Sequence, residues 1–340
     1  MAVYLEKVRN SSPVRWVQQS AFIRNNASVI LIYFFIFVLI VIGSTYSDRF
    51  LTASNLINIM RQSIVLGLIA IGQTAVLLTG GMDISQEMVA RLVGLTVATI
   101  FAANGSSPGL ILPLLGLGVV MGAALGWFNG MLITRTHAVP FIITFGMAFI
   151  LRGINFAISN IPIRGIPSEY LKIYDAKIVL DFIDLKIPLN VIGMLVLWYL
   201  VWIFATRSRL GRRIYAVGGS ERIAQLSGIR VRKVVIWAYV LSSVFAALGG
   251  LFLLARSGVG DPSAAEGLTF KAIVAAAIGG ISLYGGRGSI WGTLGGVLLL
   301  TLLGNFFNLL QVNIYFQDLM LGVIVLIAVA AYKSKRLGAL

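Results

Sequence analysis

The chain has 340 residues, is 58% hydrophobic with a mean hydropathy of +0.93, and carries a formal net charge of +15. So much apolar sequence excludes a soluble globular protein and indicates an all-α, polytopic membrane protein, because helices satisfy their own backbone hydrogen bonds inside lipid. The absence of cysteine excludes disulfides, thiolate metal sites and thiol nucleophiles.

A bilayer core of about 30 Å takes roughly 20 apolar residues per helix. The sequence predicts ten spans, at 27–45, 63–80, 86–104, 109–134, 139–158, 187–206, 234–255, 269–284, 288–310 and 318–332. The eighth is short and the third is interrupted by charge. The first follows Lys7, Arg9, Arg15 and Arg24 and ends without a small-residue cleavage site, so it is expected to remain as an anchor. The expected organisation is a cytoplasmic segment 1–26, a transmembrane domain 27–332 and a cytoplasmic tail 333–340. Within the domain, 159–186 forms an outer loop and 207–233 an inner one.

With both termini inside, the inner segments hold seventeen Lys and Arg against Glu6 and Glu221, while the outer side, counted with Lys271 and Asp318 at the outer ends of their spans, holds eight bases and eight acids. This is the positive-inside pattern. It accounts for the pI of about 10.4 without a nucleic-acid partner.

The third span opens with "LLTGGMDISQEMVARLVG", which puts Asp83, Glu87 and Arg91 on one face if the helix runs from Asp83. Ions at this depth need partners or water. Two readings stand: a Glu87–Arg91 pair with Asp83 capping the helix start, or a polar lining of a solute path. In the fourth span, "GLGVVMGAALGWFNG" sets Gly118, Gly122, Gly126 and Gly130 in one stripe, and Gly292 and Gly296 repeat the spacing in the ninth. Such stripes let helices approach closely in lipid, where apolar burial drives little association.

Arg152 is expected to snorkel at the outer end of the fifth span, and His137 to be an interfacial side chain at its inner start. The segment 159–186, with two prolines and balanced charge, is long enough to fold over the outer mouth. "GGMDI" at 80–84 is echoed by "GGISL" at 279–283, each ending an apolar run, as in transporters built from duplicated halves.

Between the sixth and seventh spans, "GRRIYAVGGSERIAQLSGIRVRKV" at 211–234 carries six basic residues and Glu221. It predicts a turn at Gly218 and Gly219, a capping Ser220, and a short helix from Glu221 stopped by Gly228.

Several chemistries find no support. No Gly-Lys dipeptide occurs, so the G-x-x-x-x-G-K-[ST] phosphate loop is missing, and a single histidine cannot form a histidine metal cluster. "YD" at 174–175 with "GVGD" at 258–261 mimics the signatures of intramembrane aspartyl proteases, but both carboxylates fall in expected loops. Catalytic and metal-binding residues are therefore expected to be none.

"GGSERIAQLSGIRV" resembles the coupling loop of ribose-type ABC importer permeases. "LTGGMDIS", "VPFIITFGMAFILRG" and "IGGISLYGGRGSIWGTLGGVLLLTLLGNFFNLL" extend the resemblance in order over roughly 50–332. It implies the transmembrane subunit of an importer of a sugar or sugar-like polar solute in the bacterial inner membrane. A second permease subunit, the same chain or a homologue, would complete the pore among membrane lipids. A periplasmic or extracellular sugar-binding protein would deliver the solute. A cytoplasmic ATP-binding subunit would drive transport, with ATP and magnesium held there and no cofactor in this chain.

The resemblance implies ATPase coupling for Gly218, Gly219, Glu221, Arg222, Ala224, Ser227 and Gly228, flanked by Arg212 and Arg213. Asp83, Ser85, Glu87, Asn129 and Thr144 are the candidates along the substrate path, with Gly146 also on a family block. Two departures stand out. Gln86, Glu87 and Arg91 make the third span more polar than the family pattern, and Lys271 stands where the family commonly has an acid. An ion-coupled secondary carrier using Asp83 or Glu87 is the alternative, and a flippase for a lipid-linked saccharide is a third reading.

Overall fold

The computed structural model describes residues 21–136, 138–180, 185–320 and 322–323. His137 and most of the expected tenth span lie outside the described residues, although 314–320 and 322–323 are helical. Among the described residues, eight helices are long and apolar enough to cross a membrane. Seven of them are α1 (Ala21–Tyr46, whose qualifying stretch is Ser28–Tyr46), α2 (Ala53–Leu78), α3 (Gln86–Ala103), α4 (Ile111–Thr136, entered through a short 3-10 turn), α5 (Pro140–Ile158), α7 (Leu189–Arg207) and α10 (Val231–Ser257). The eighth, α12, spans Ile290–Leu309.

Two boundaries differ from the sequence expectation. α2 begins at Ala53 rather than at 63, because Thr52 Oγ1 accepts Asn55 N–H at 3.3 Å and starts the helix ahead of Arg61. The charge of Arg61 is met by Asp175 at 3.9 Å and by the Tyr174 ring at 5.2 Å, so it does not interrupt the helix.

The expected eighth span is instead α11 (Leu268–Ile278), whose 11 residues reach about 16 Å, half a bilayer core. Glycines end it: Gly280, Gly285, Gly286 and Gly288 all take positive φ, and the chain turns through 279–289 before α12.

The two echoed segments are built alike. Gly80 at φ +82° ends α2 with Gly81 N–H bonded to Val76 O, and Gly280 at φ +91° ends α11 with Ile281 N–H bonded to Ala276 O. Both are glycine-terminated helix ends of the Schellman type. The structural correspondence, Gly80 with Gly280, is one residue out of register with the echo in the letters.

α10 is the central helix and packs along α4, α2 and α3. The α4 glycines form the seam with it. A Cβ on Gly122 would stand 2.7 Å from Ser243 O and one on Gly130 2.7 Å from Ile236 Cα, while Gly126 faces the Tyr239 carbonyl and Gly118 faces Val93 and Leu251. Gly292 and Gly296 of α12 lie against the Gly279 and Ala275 carbonyls at the end of α11. Backbones thus meet where side chains would hold them apart. α1, α5 and α7 turn exposed Phe34, Phe37, Phe145, Phe149, Leu195 and Leu200 outward, the surface expected of helices bathed in lipid.

The segment 159–186 carries α6 (Ser168–Asp175) and strand β1 (Lys177–Leu180), which pairs antiparallel with β2 (Leu185–Pro188). Ile163 bridges Gly260, and buried Tyr170 donates to Leu251 O of α10 at 2.7 Å. The segment is therefore tied down over one end of the bundle. Burial pushes the Tyr170 phenol well above its ordinary range.

Candidate functional site

The basic stretch after α7 folds as two short helices at the opposite end of the bundle. Ser208 Oγ accepts Gly211 N–H at 2.8 Å and starts α8 (Arg209–Gly219). α8 has two faces, with Ile214 and Val217 buried and Arg209, Arg212 and Arg213 exposed. The turn expected at Gly218 and Gly219 is instead the last turn of α8, a helix the sequence reading missed. Ser220 Oγ then accepts Ile223 N–H at 3.3 Å and opens α9 (Glu221–Leu226), and Gly228 at φ +77° ends it. Ala224 is buried, whereas Glu221, Arg222, Ser227 and Gly228 are exposed beside Ile223 and Leu226, which are 65% and 82% exposed.

The inner face of this unit rests on both helix breaks. Gly218 lies against Leu78 O, which accepts Gly286 N–H at 2.9 Å, and Tyr215 donates to Gly288 O at 3.1 Å. Gly219 packs on Gly286, and Gly285 approaches Gly80. Gly80, Gly218, Gly285 and Gly286 each meet backbone where a Cβ would stand, because three backbones converge on one point. Burial raises the Tyr215 phenol above its ordinary range.

Just beyond the first break, Asp83 collects a hydrogen-bond network. Its Oδ1 accepts Ser85 Oγ at 2.6 Å and Ser85 N–H at 3.0 Å, and its Oδ2 accepts Ser242 Oγ of α10 at 2.6 Å. Asn129 of α4 donates to Ser85 Oγ at 3.0 Å and Gln86 to Ser242 Oγ at 2.9 Å. Every link donates towards the carboxyl oxygens. The far ends, Asn129 Oδ1 and Gln86 Oε1, are buried and have no donor among the described residues. Thr144 of α5 accepts Ile84 N–H at 3.1 Å and lies 3.2 Å from Met82 O. Side chains from α4, α5 and α10 thereby grip residues 82–86.

Asp83 does not share a helical face with Glu87 and Arg91, because α3 starts only at Gln86. Glu87 and Arg91 form a separate buried pair at 3.2 Å. Glu87 Oε2 accepts Gly267 N–H at 2.9 Å, Arg91 Nε donates to Ala264 O at 3.0 Å, and Thr269 accepts Glu87 N–H at 3.0 Å. The pair latches the approach to α11 onto α3, so the polar departure in the third span is spent on internal contacts.

Asp83, Ser85, Asn129 and Thr144 are thus brought together, Glu87 stands apart, and all five are buried. Gly146 has no atom within 4 Å of the position of its Cβ. Sequence reasoning missed Ser242, Gln86 as a partner, and Thr269. A Ser-Ser pair within the apolar run "YVLSSVFAALGG" was the available signal for Ser242. Arg152 is exposed with its guanidinium 5.9 Å from the Phe156 ring. Asp175, of the protease-like pair, is an exposed partner of Arg61. Among the described residues no three His, Asp or Glu gather as a metal site would require.

Residues 55–329 match the family described as branched-chain amino acid transport system / permease component. The ribose import permease protein RbsC of Bacillus subtilis (strain 168) is 37% identical over 302 residues, 88% of this chain and 91% of its own length. The D-allose transport system permease protein AlsC of Escherichia coli (strain K12) is 37% identical over 300 residues, 87% and 89% of the two chains. The fructose import permease protein FrcC of Rhizobium meliloti is 31% identical over 319 residues, 91% and 86%. No solved structure matches.

Proposed function

We infer the role of this protein from one premise: the chain belongs to the branched-chain amino acid transport system / permease component family. It is a multi-pass protein of the bacterial inner membrane and a transport subunit, not an enzyme. It serves as the transmembrane permease of a binding-protein-dependent ABC importer. Its cargo is a sugar or sugar-like polar solute, in keeping with the ribose, allose and fructose permeases it is similar to. A cytoplasmic ATPase pair holding ATP and magnesium, a sugar-binding protein outside and a second permease subunit complete the transporter.

One observation carries the mechanical part of this reading: the α8–α9 corner is exposed on its outer side and rests by its inner side on the Gly80 and Gly286 breaks. Exposed Ile223 and Leu226, flanked by Glu221 and Arg222, suit docking into a protein groove. A push on α9 reaches Leu78 and Gly286 through the rigid α8, with no flexible linker between. The breaks in turn hold Asp83, Ser85, Asn129 and Thr144, which set how α3 sits against α4, α5 and α10. On this account those side chains position the moving helices. Weak, non-specific contact with the solute suits a permease that must release it.

The test is co-purification of the ATPase with the tagged chain in mild detergent from its own membranes. Wild type is expected to bring down a stoichiometric ATPase, and Glu221→Arg with Gly228→Trp to lose it. If wild type brings down none under conditions that preserve known transporter complexes, the reading fails. The relatives lend no support to the ion-coupled alternative, and both carboxylates it needs are already engaged by neighbours.

A further inference from the structure

The turn between α11 and α12 is closed by its own hydrogen bonds. Ser282 N–H donates to Arg287 O at 2.9 Å, Gly285 N–H to Ser282 O at 3.1 Å and Tyr284 N–H to Ser282 Oγ at 3.2 Å. Its contacts with α2 and α8 run through backbone. Gly286 N–H reaches Leu78 O, Gly288 O accepts the Tyr215 hydroxyl, and a Cβ on Gly286 would stand 2.5 Å from Gly219 Cα. A turn so constrained presents its side chains in fixed places. Two large ones are exposed on it, Tyr284 at 70% and Arg287.

The exposed part of α9 starts from the same contact. Gly219 touches Gly286, with Ile223 four residues beyond the one and Arg287 next to the other. One protein surface can therefore cover both, since a standard interface takes up about 800 Å² on each partner. The charge around them has one sign. Segment 207–233 carries eight bases and Arg287 is a ninth, against Glu221, whose Oε1 already accepts Gln225 Nε2 at 3.1 Å. Among the described residues neither Arg222 nor Arg287 forms a salt bridge.

We propose that the docking surface for the ATP-binding subunit extends from α9 onto this turn, with Tyr284 and Arg287 as a second anchor and carboxylates of that subunit opposite Arg287 and Arg222. The proposal rests on the importer reading and adds to it a contact outside the 207–233 segment. Tyrosine and arginine are the side chains that most often carry the energy of an interface, and a pre-set turn loses little freedom when it is covered. A partner seated on α9 alone would push the corner through one set of contacts. A partner seated on both holds α9 and the second break in a fixed relation, so the push is not lost as sliding of Gly219 over Gly286.

The test places the photoreactive residue p-benzoylphenylalanine in turn at Tyr284, at Leu226 of α9 and at Leu112, which is 79% exposed in the first turn of α4 near the other end of the bundle. The full chain is irradiated in its own membranes with its partners present. An adduct to the ATP-binding subunit, identified by the peptide of its phosphate-binding loop, is expected at 284 and 226 and not at 112. Arg287→Glu should lower the ATPase retained by the tagged chain about tenfold, and Arg287→Lys by less than about twofold. Arg287→Gln, which reverses no charge, should lower it about threefold and serves if the reversal does not fold. An adduct at 226 without one at 284 puts the turn outside the interface and overturns the proposal, while the importer reading stands. So do adducts at 284 to lipid alone, which would place the turn on the membrane surface, and unchanged retention in both Arg287→Glu and Arg287→Gln. If no ATPase accompanies the wild-type chain, both readings fall together.

Discussion

Gly218 of α8 touches the carbonyl of Leu78 at the end of α2, with no space for a Cβ between them. That carbonyl also accepts Gly286 N–H, so one peptide oxygen joins the corner helix to both breaks.

Gly218→Ala should therefore lower stability by about 1–3 kcal/mol, the usual cost of forcing an extra group into a packed site. Gly219→Ala, with no atom within 4 Å of the new methyl, should change it by less than about 0.5 kcal/mol. Unfolding of the two variants in mild detergent decides it. Equal tolerance would show that the α8–α2 contact is loose.

Asp83→Asn replaces the acceptor of two hydroxyls and one N–H with an amide that can accept at only one atom. The expected loss is about 1–3 kcal/mol, the cost of leaving buried donors without their acceptor. Ser242→Ala removes one of those donors and leaves Gln86 Nε2 with Ile69 O, at 3.2 Å, as its remaining acceptor. The double variant should lose less than the sum of the two, and strict additivity would break the proposed network.

Arg91→Met leaves Glu87 as a buried charge without its partner, at an expected cost of about 3–5 kcal/mol. Adding Glu87→Gln should recover part of it. The latch to Ala264 and Gly267 predicts a second effect: amide exchange in residues 262–269 should speed up in the single variant. Unchanged exchange there would leave the pair without a role in holding α11.

The Tyr170 phenol is raised by burial above its ordinary value of 10.0, so the folded state holds its proton more tightly than the unfolded chain. Its contribution is fully present below about pH 10 and declines as pH rises from there towards the folded value. Tyr170→Phe should cost about 1 kcal/mol at neutral pH through the lost bond to Leu251 O. The gap between wild type and variant should narrow above about pH 10. A gap that stays constant up to strongly alkaline pH would show that the hydroxyl is not buried in solution.

The letters by themselves determined the class of protein, because 58% apolar residues in runs near 20 long have no other stable disposition than membrane helices. They also located Ser220 and Gly228, whose capping roles depend on neighbours within a few residues. Tertiary structure decided what depends on distant chain. The apolar run at 269–284 reads as a span, yet its glycines yield to the close approach of Gly218, Gly80 and Gly292, and it becomes a half-length helix and a break. Asp83, Glu87 and Arg91 have the spacing of one helical face. Ser242 holds Asp83 outside the helix and Thr144 holds the backbone on either side of it, while Gly267 and Ala264 claim the other two. Local pattern fixes caps and hydrophobic runs, whereas the partner of a buried polar group is set by whichever helix the packing brings beside it.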